Sequence, residues 1–168
     1  MTGAKNPPRP DGGITVEVDD RRADEAGVLP VDVDRWRRLA AGVLSAEGVP
    51  AGAEVGLLFV DEDAMADLNR RHMGAEGPTD VLAFPLDGAG EGGAGTEAGI
   101  LVGDVVVCVE VARAAAEERG VPVDDELALL VVHGLLHLLG YDHAEDGEAA
   151  AMRRRERHHL RQPIGTVR

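Results

Sequence analysis

A chain of 168 residues that is 44% hydrophobic can bury one full core and is too short to expect two. Aromatic residues make up only 2% of it, so Leu, Val and Ala have to build that core. With 17 Lys and Arg against 31 Asp and Glu, the net charge of −14 argues against a general electrostatic grip on nucleic acid, leaving a local patch or a metal for such a task.

Residues 1–13, rich in Pro and Gly, are expected to form a disordered tail, and they hold no apolar stretch resembling a secretory leader. "ITVEV" (14–18) alternates and predicts a strand. Val33, Trp36, Leu39, Ala40, Val43 and Leu44 recur at helical spacing, in a helix ended by Gly48 and Pro50. "EVGLLFV" (54–60) suits a buried strand, and Asp61 is placed to cap the helix "EDAMADLNRRH" that follows. "PTDVLAFPL" (78–86) predicts a third strand, and the low-complexity 87–99 a mobile Gly-rich loop.

"ILVGDVVVCV" (100–109) predicts a fourth strand, in which Gly103 signals a bulge or a close backbone approach. "EVARAAAEERG" is a helix stopped by Gly120. "DDELALLVVHGLLHLLG" opens with acids that suit a helix N-terminus and stops at Gly140. A last helix covers about 145–160, with 161–168 as a tail. The expected fold class is α+β: one small domain over 14–160, with a roughly four-stranded mixed sheet packed by helices and a metal site at the end of the long apolar helix. No window offers the roughly 20 apolar residues that span a bilayer. The single Cys108 allows no internal disulfide, so a cytoplasmic location is expected and no membrane partner.

Three of the six histidines fall within "HGLLHLLGYDH" (133–143). His133 and His137, four apart, share one helix face, and Gly140 can turn the chain so that His143 reaches the same point. Three converging imidazoles suit Zn²⁺ and leave a fourth position for water, the arrangement of a catalytic zinc whose water has its pKa lowered to roughly 7. An isolated histidine is more often packed or simply exposed. Three at this spacing, in a helix apolar on nearly every side, favour a metal, because burying unpartnered imidazoles costs free energy. The spacing equals that of the metzincin peptidases, but Gly134 stands where those enzymes carry the glutamate that moves protons. That replacement favours a reaction with an easier leaving group, such as phosphodiester cleavage.

"HGLLHLLGYDH" resembles the H-G-x-L-H-L-x-G-Y-D-H signature of the YbeY endoribonucleases, the bacterial rRNA maturation factors. "LNRRHMGAEGPTDVLAFP" (68–85) and "GDVVVCVEVARAAAEERG" (103–120) are similar to two further blocks of that family, in the family's order. The resemblance implies a single-strand-specific, zinc-dependent endoribonuclease, with His133, His137 and His143 as ligands of one ion. It implies action at the 3′ end of small-subunit rRNA and in ribosome quality control, with single-stranded RNA and ribosomal proteins as partners and no DNA. Two departures stand out. His72, Met73 and Glu76 occupy positions where many members have an aromatic-Arg pair and an acid, and Ala83 replaces a usual Ser.

No general base is assigned beyond the metal-bound water; Asp142 and Asp104 are candidates, Asp142 equally as an acceptor for a ligand ring or as a turn residue. Arg70 and Arg71, nearest to the missing Arg, and Thr79 and Asp80 at a strand start are candidate substrate contacts, set against dipole compensation and turn chemistry as the plainer readings. The basic run "RRRERHHLR" (153–161) is accounted for by dipole compensation within its helix, and His158 and His159 are not counted as ligands. Two rival readings remain: a metallopeptidase, and a non-catalytic ribosome-associated module with a structural zinc.

Overall fold

A computed structural model describes residues 13–23, 28–86, 100–142 and 145–161. The tail expected over 1–13, except Gly13, the loop over 87–99 and the tail beyond Arg161 lie outside the described residues.

The elements run β1 (Thr15–Asp20), α1 (Val33–Ala46), β2 (Ala53–Val60), α2 (Glu62–Met73), β3 (Val81–Pro85), β4 (Ile100–Cys108), α3 (Val109–Arg119), α4 (Val123–Leu138) and α5 (Asp146–Leu160). The sheet has the order β1-β2-β4-β3, with β1, β2 and β4 parallel and β3 antiparallel to β4. This is the expected α+β domain with a four-stranded mixed sheet.

Local chemistry sets the boundaries. Asp61 caps α2 by accepting from the Ala64 N–H at 2.8 Å, and Asp32 caps α1 by accepting from Arg35 N–H at 3.2 Å. Strand β3 starts three residues later than Pro78, where the expected strand began. The Asp80 carboxylate there accepts from the Val81 N–H at 2.8 Å, so Thr79-Asp80 forms the turn into the strand. In β4 the pairing with β2 slips between Glu54 and Val55, which face Leu101 and Gly103, so the expected bulge is present. Gly103 has φ +142°, and a Cβ there would run into the Phe84 carbonyl oxygen and stand 2.8 Å from Leu138 Cδ1. Only glycine fits that crossing of α4 over the sheet.

The sheet carries unequal layers. Val55, Leu57 and Phe59 of β2 join Val105 and Val107 of β4 in the main core, with Trp36 and Leu44 of α1 and Leu127, Leu135 and Leu136 of α4. Val106, Cys108 and Leu82 point the other way and meet Met65 of α2. Each fully buried side chain of this size stabilises by about 1.5–3 kcal/mol relative to exposure, so α4, with most of its surface covered, is the best anchored helix.

One row of α4 stays uncovered. Asp125, Leu129, His133 and His137 repeat at i, i+4 and are exposed or half-buried. This corrects the expectation of imidazoles sunk in an apolar helix: the rings lie on the helix's open stripe, because neighbouring elements cover its other faces.

Candidate metal centre

His133 and His137 project from that stripe with ring centroids 6.4 Å apart and planes tilted by 34°. Each ring has its Nδ1 engaged. His133 Nδ1 lies 2.5 Å from Glu156 Oε1 on α5, and His137 Nδ1 lies 2.8 Å from the Tyr141 carbonyl oxygen. Both acceptors lack a hydrogen when Glu156 is ionised, so each Nδ1 carries the proton and each Nε2 carries the lone pair. A carboxylate or carbonyl behind Nδ1 is the usual support of a metal-ligating histidine, since it fixes tautomer and ring plane. On this ground the residues present fit a zinc ion. His143, the expected third ligand, lies outside the described residues, and among those described no group of three His, Cys, Asp or Glu is gathered to hold an ion.

The turn after α4 follows from Gly140. Its φ of +101° belongs to the left-handed region that glycine tolerates, and the chain reverses there as expected. Gly140 N–H donates to His137 O at 3.1 Å and Tyr141 N–H to Leu136 O at 3.0 Å, the two bonds of a Schellman cap. Tyr141 is thereby delivered beneath His137, where its carbonyl accepts from the ring.

Behind the rings stands a second cluster that sequence reasoning missed. Glu47 caps the C-terminal end of α1, and its carboxylate is only 8% exposed. It accepts from Tyr141 Oη at 2.9 Å and Arg155 Nε at 2.8 Å, and lies 2.6 Å from His159 Nε2. Burial opposes its ionisation, but the hydrogen bonds with His159, Arg155 and Tyr141 together outweigh it and hold the carboxyl below the usual range. Burial, and then the Glu47 carboxylate, push the Tyr141 phenol up, so it remains a donor. Glu156 and His159 share the inward side of α5 with buried Met152, at i, i+4 and i+7. An acid and a histidine on that stripe were the available signal.

The other expected residues fall at varying places. Asp142 is exposed and directly follows Tyr141. Asp104 is exposed over Gly56 of the neighbouring strand, on the face of β4 that alternates away from Val105 and α4. It is therefore not brought to the histidine row. Thr79 Oγ1 donates to Asp80 Oδ1 at 3.4 Å, and both residues serve the turn into β3. Arg70 and Arg71 share Asp67 at 2.7 and 3.1 Å and are 66% and 67% exposed. His72 packs edge-on against Phe84 with centroids 5.0 Å apart, Met73 is exposed, and Ala83 packs against the main core. Arg153, Arg154, Arg157 and His158 face outward on α5, whereas buried His159 is bound to Glu47.

Fold and site define a small α+β protein that presents two oriented imidazoles on the open row of its central helix. The chain belongs to the Endoribonuclease YbeY family, whose pattern matches residues 22–163. It is similar to Endoribonuclease YbeY of Thermobifida fusca, 52% identical over 132 residues, covering 77% of this chain and 84% of that protein. The same holds for Endoribonuclease YbeY of Salinispora tropica, 49% identical over 136 residues, covering 77% and 86%. The solution structure of TM1509 from Thermotoga maritima is similar with a TM-score of 0.58 at 25% identity, covering 87% of each chain.

Proposed function

We propose that the protein is a zinc-dependent endoribonuclease that cleaves single-stranded RNA, working in the cytoplasm on the 3′ end of small-subunit rRNA and in ribosome quality control. Family membership supports an endonuclease that hydrolyses phosphodiester bonds in RNA. The observation that supports the metal reading is the pair of ring contacts, Glu156 to His133 Nδ1 and Tyr141 to His137 Nδ1, the kind of support that metal-ligating histidines usually have. His133 and His137, with His143, would hold Zn²⁺. The bound ion supplies Lewis acidity and lowers the pKa of a bound water toward roughly 7.

The chain's own residues hold and orient. Each described ligand ring has its N–H committed to an acceptor, so neither is the proton carrier of the reaction. Among the described residues Arg70 and Arg71 pair with Asp67 at an exposed site, where an ion pair is worth about 0–1 kcal/mol, so exchanging that carboxylate for a phosphate costs little. This local pair offers cationic contact on a chain of net charge −14. Among the described residues no helix is long and apolar enough to cross a membrane. Ribosomal RNA and proteins of the small subunit are the proposed partners.

The peptidase alternative has only its histidine spacing in its favour, and position 134 has no room for the carboxylate it needs. The test incubates zinc-loaded protein with unstructured RNA and with an unfolded peptide. Cleavage of RNA that disappears in His137→Ala, with the peptide intact, is the expected result. Peptide cleavage lost in His137→Ala, with RNA untouched, would overturn the proposal.

A further inference from the structure

A buried acid at the C-terminal end of a helix is placed against the helix dipole, which favours cations there. Glu47 occupies such a position on α1 and is nonetheless nearly covered, so its neighbours have to hold it. They come from two places distant in sequence. Tyr141 belongs to the turn after α4, while Arg155 and His159 belong to α5. These two places also supply the acceptors behind the ligand rings. The Tyr141 residue that donates its hydroxyl to Glu47 offers its own carbonyl to His137. Glu156, the acceptor for His133, sits between Arg155 and His159 on the same helix.

We infer that Glu47 is a positioning residue for the metal centre, a single carboxylate that sets both the Tyr141 carbonyl and the Glu156 carboxylate in place behind the ligand rings. The inference rests on the proposed metal reading of His133 and His137. A tie that served only to join α1 to α5 could use Arg155 and His159 alone. The Tyr141 hydroxyl adds nothing to that join, since α4 is already fastened by its core face; what it holds is the turn. Breaking it frees the carbonyl to drift from the His137 N–H, and the ring loses the support that this acceptor gives its orientation. Loss of a partner behind a ligand ring typically weakens metal binding about 10–100-fold.

The test measures Zn²⁺ affinity by competition with a chromophoric chelator, using the full chain as wild type, Tyr141→Phe, Glu47→Gln and His137→Ala, with the thermal midpoint of each apo protein. Tyr141→Phe removes one hydroxyl and keeps the Arg155 and His159 bonds, so the apo fold is retained even if Glu47→Gln proves unstable. The expected result is Zn²⁺ binding weakened about threefold to tenfold in Tyr141→Phe and about 10–100-fold in Glu47→Gln, with the apo midpoint of Tyr141→Phe close to wild type. Wild-type affinity in Tyr141→Phe, together with strong loss in His137→Ala, would overturn the inference and leave the metal reading standing. Wild-type affinity in His137→Ala would overturn the metal reading itself and the inference with it.

Discussion

Gly134 of α4 lies so close to Val105 of β4 that a Cβ at 134 would stand 2.5 Å from one Val105 methyl, and 3.0 Å from a Val81 methyl. The position where a metzincin peptidase carries its glutamate is here the point of contact between helix and sheet. Alanine at 134 gains about 1 kcal/mol of helix propensity over glycine, but overfilling a packed contact costs about 1–3 kcal/mol. Gly134→Ala is therefore expected to lower the thermal midpoint by a few degrees, at about 2–4 °C per kcal/mol for a chain of this size. Combined with Val105→Ala, the two losses should sum to less than their separate values, because each relieves the other. A raised midpoint in Gly134→Ala would show that the contact is looser than described.

Glu156 is expected to matter to the ion more than to the fold. Its carboxylate, 12% exposed, accepts from the His133 ring. Glu156→Ala should raise the Zn²⁺ dissociation constant about 10–100-fold, while Glu156→Gln, whose amide oxygen still accepts, should lose less. Chelator competition measures both, and equal loss in the two variants would contradict the acceptor role.

Glu47 predicts a particular acid response. Its folded carboxyl is held below the ordinary glutamate value of roughly 4.3. A lowered folded value contributes stability that is present above the unfolded value and lost as pH falls through the folded one. The stability gap between wild type and Glu47→Gln should thus be wide at about pH 7 and shrink by about pH 3.5. Urea midpoints at the two pH values read this directly, and a constant gap would contradict it.

Arg70 and Arg71 should serve RNA rather than stability. Their pairs with Asp67 are exposed, so replacing both with Ala should change the unfolding free energy by less than about 1 kcal/mol. If both touch phosphate, single-stranded RNA should bind more weakly, and the slope of log affinity against log salt should fall by about 1.4, at roughly 0.7 per contact. An unchanged slope would remove both from the RNA contact.

Much of this architecture was legible because local chemistry decides it. Asp61 at a helix start, Gly103 at the bulge and Gly140 at the turn each meet a backbone requirement visible within a few residues. The helix that carries His133 and His137, and the succession of strands and helices along the chain, follow from the same patterns. What stayed hidden depends on partners distant in sequence. Glu47 meets Tyr141, Arg155 and His159 across 94, 108 and 112 residues, and nothing near position 47 announces them. Glu156 was concealed among arginines, although its spacing from Met152 and His159 placed it on the buried stripe. The exposure of the histidine row was missed because hydropathy along α4 shows how much of the helix is apolar, and only packing decides which row is left open.

The most direct test is removal and return of zinc. The core beneath α4 is built from apolar side chains on the helix faces turned away from the histidine row, so chelated protein should keep its far-UV circular dichroism while losing cleavage of unstructured RNA. One equivalent of Zn²⁺ should restore cleavage in the wild type and fail to do so in His133→Ala. Cleavage that persists after complete chelation, or unfolding of the domain on chelation, would contradict a catalytic zinc held by this helix.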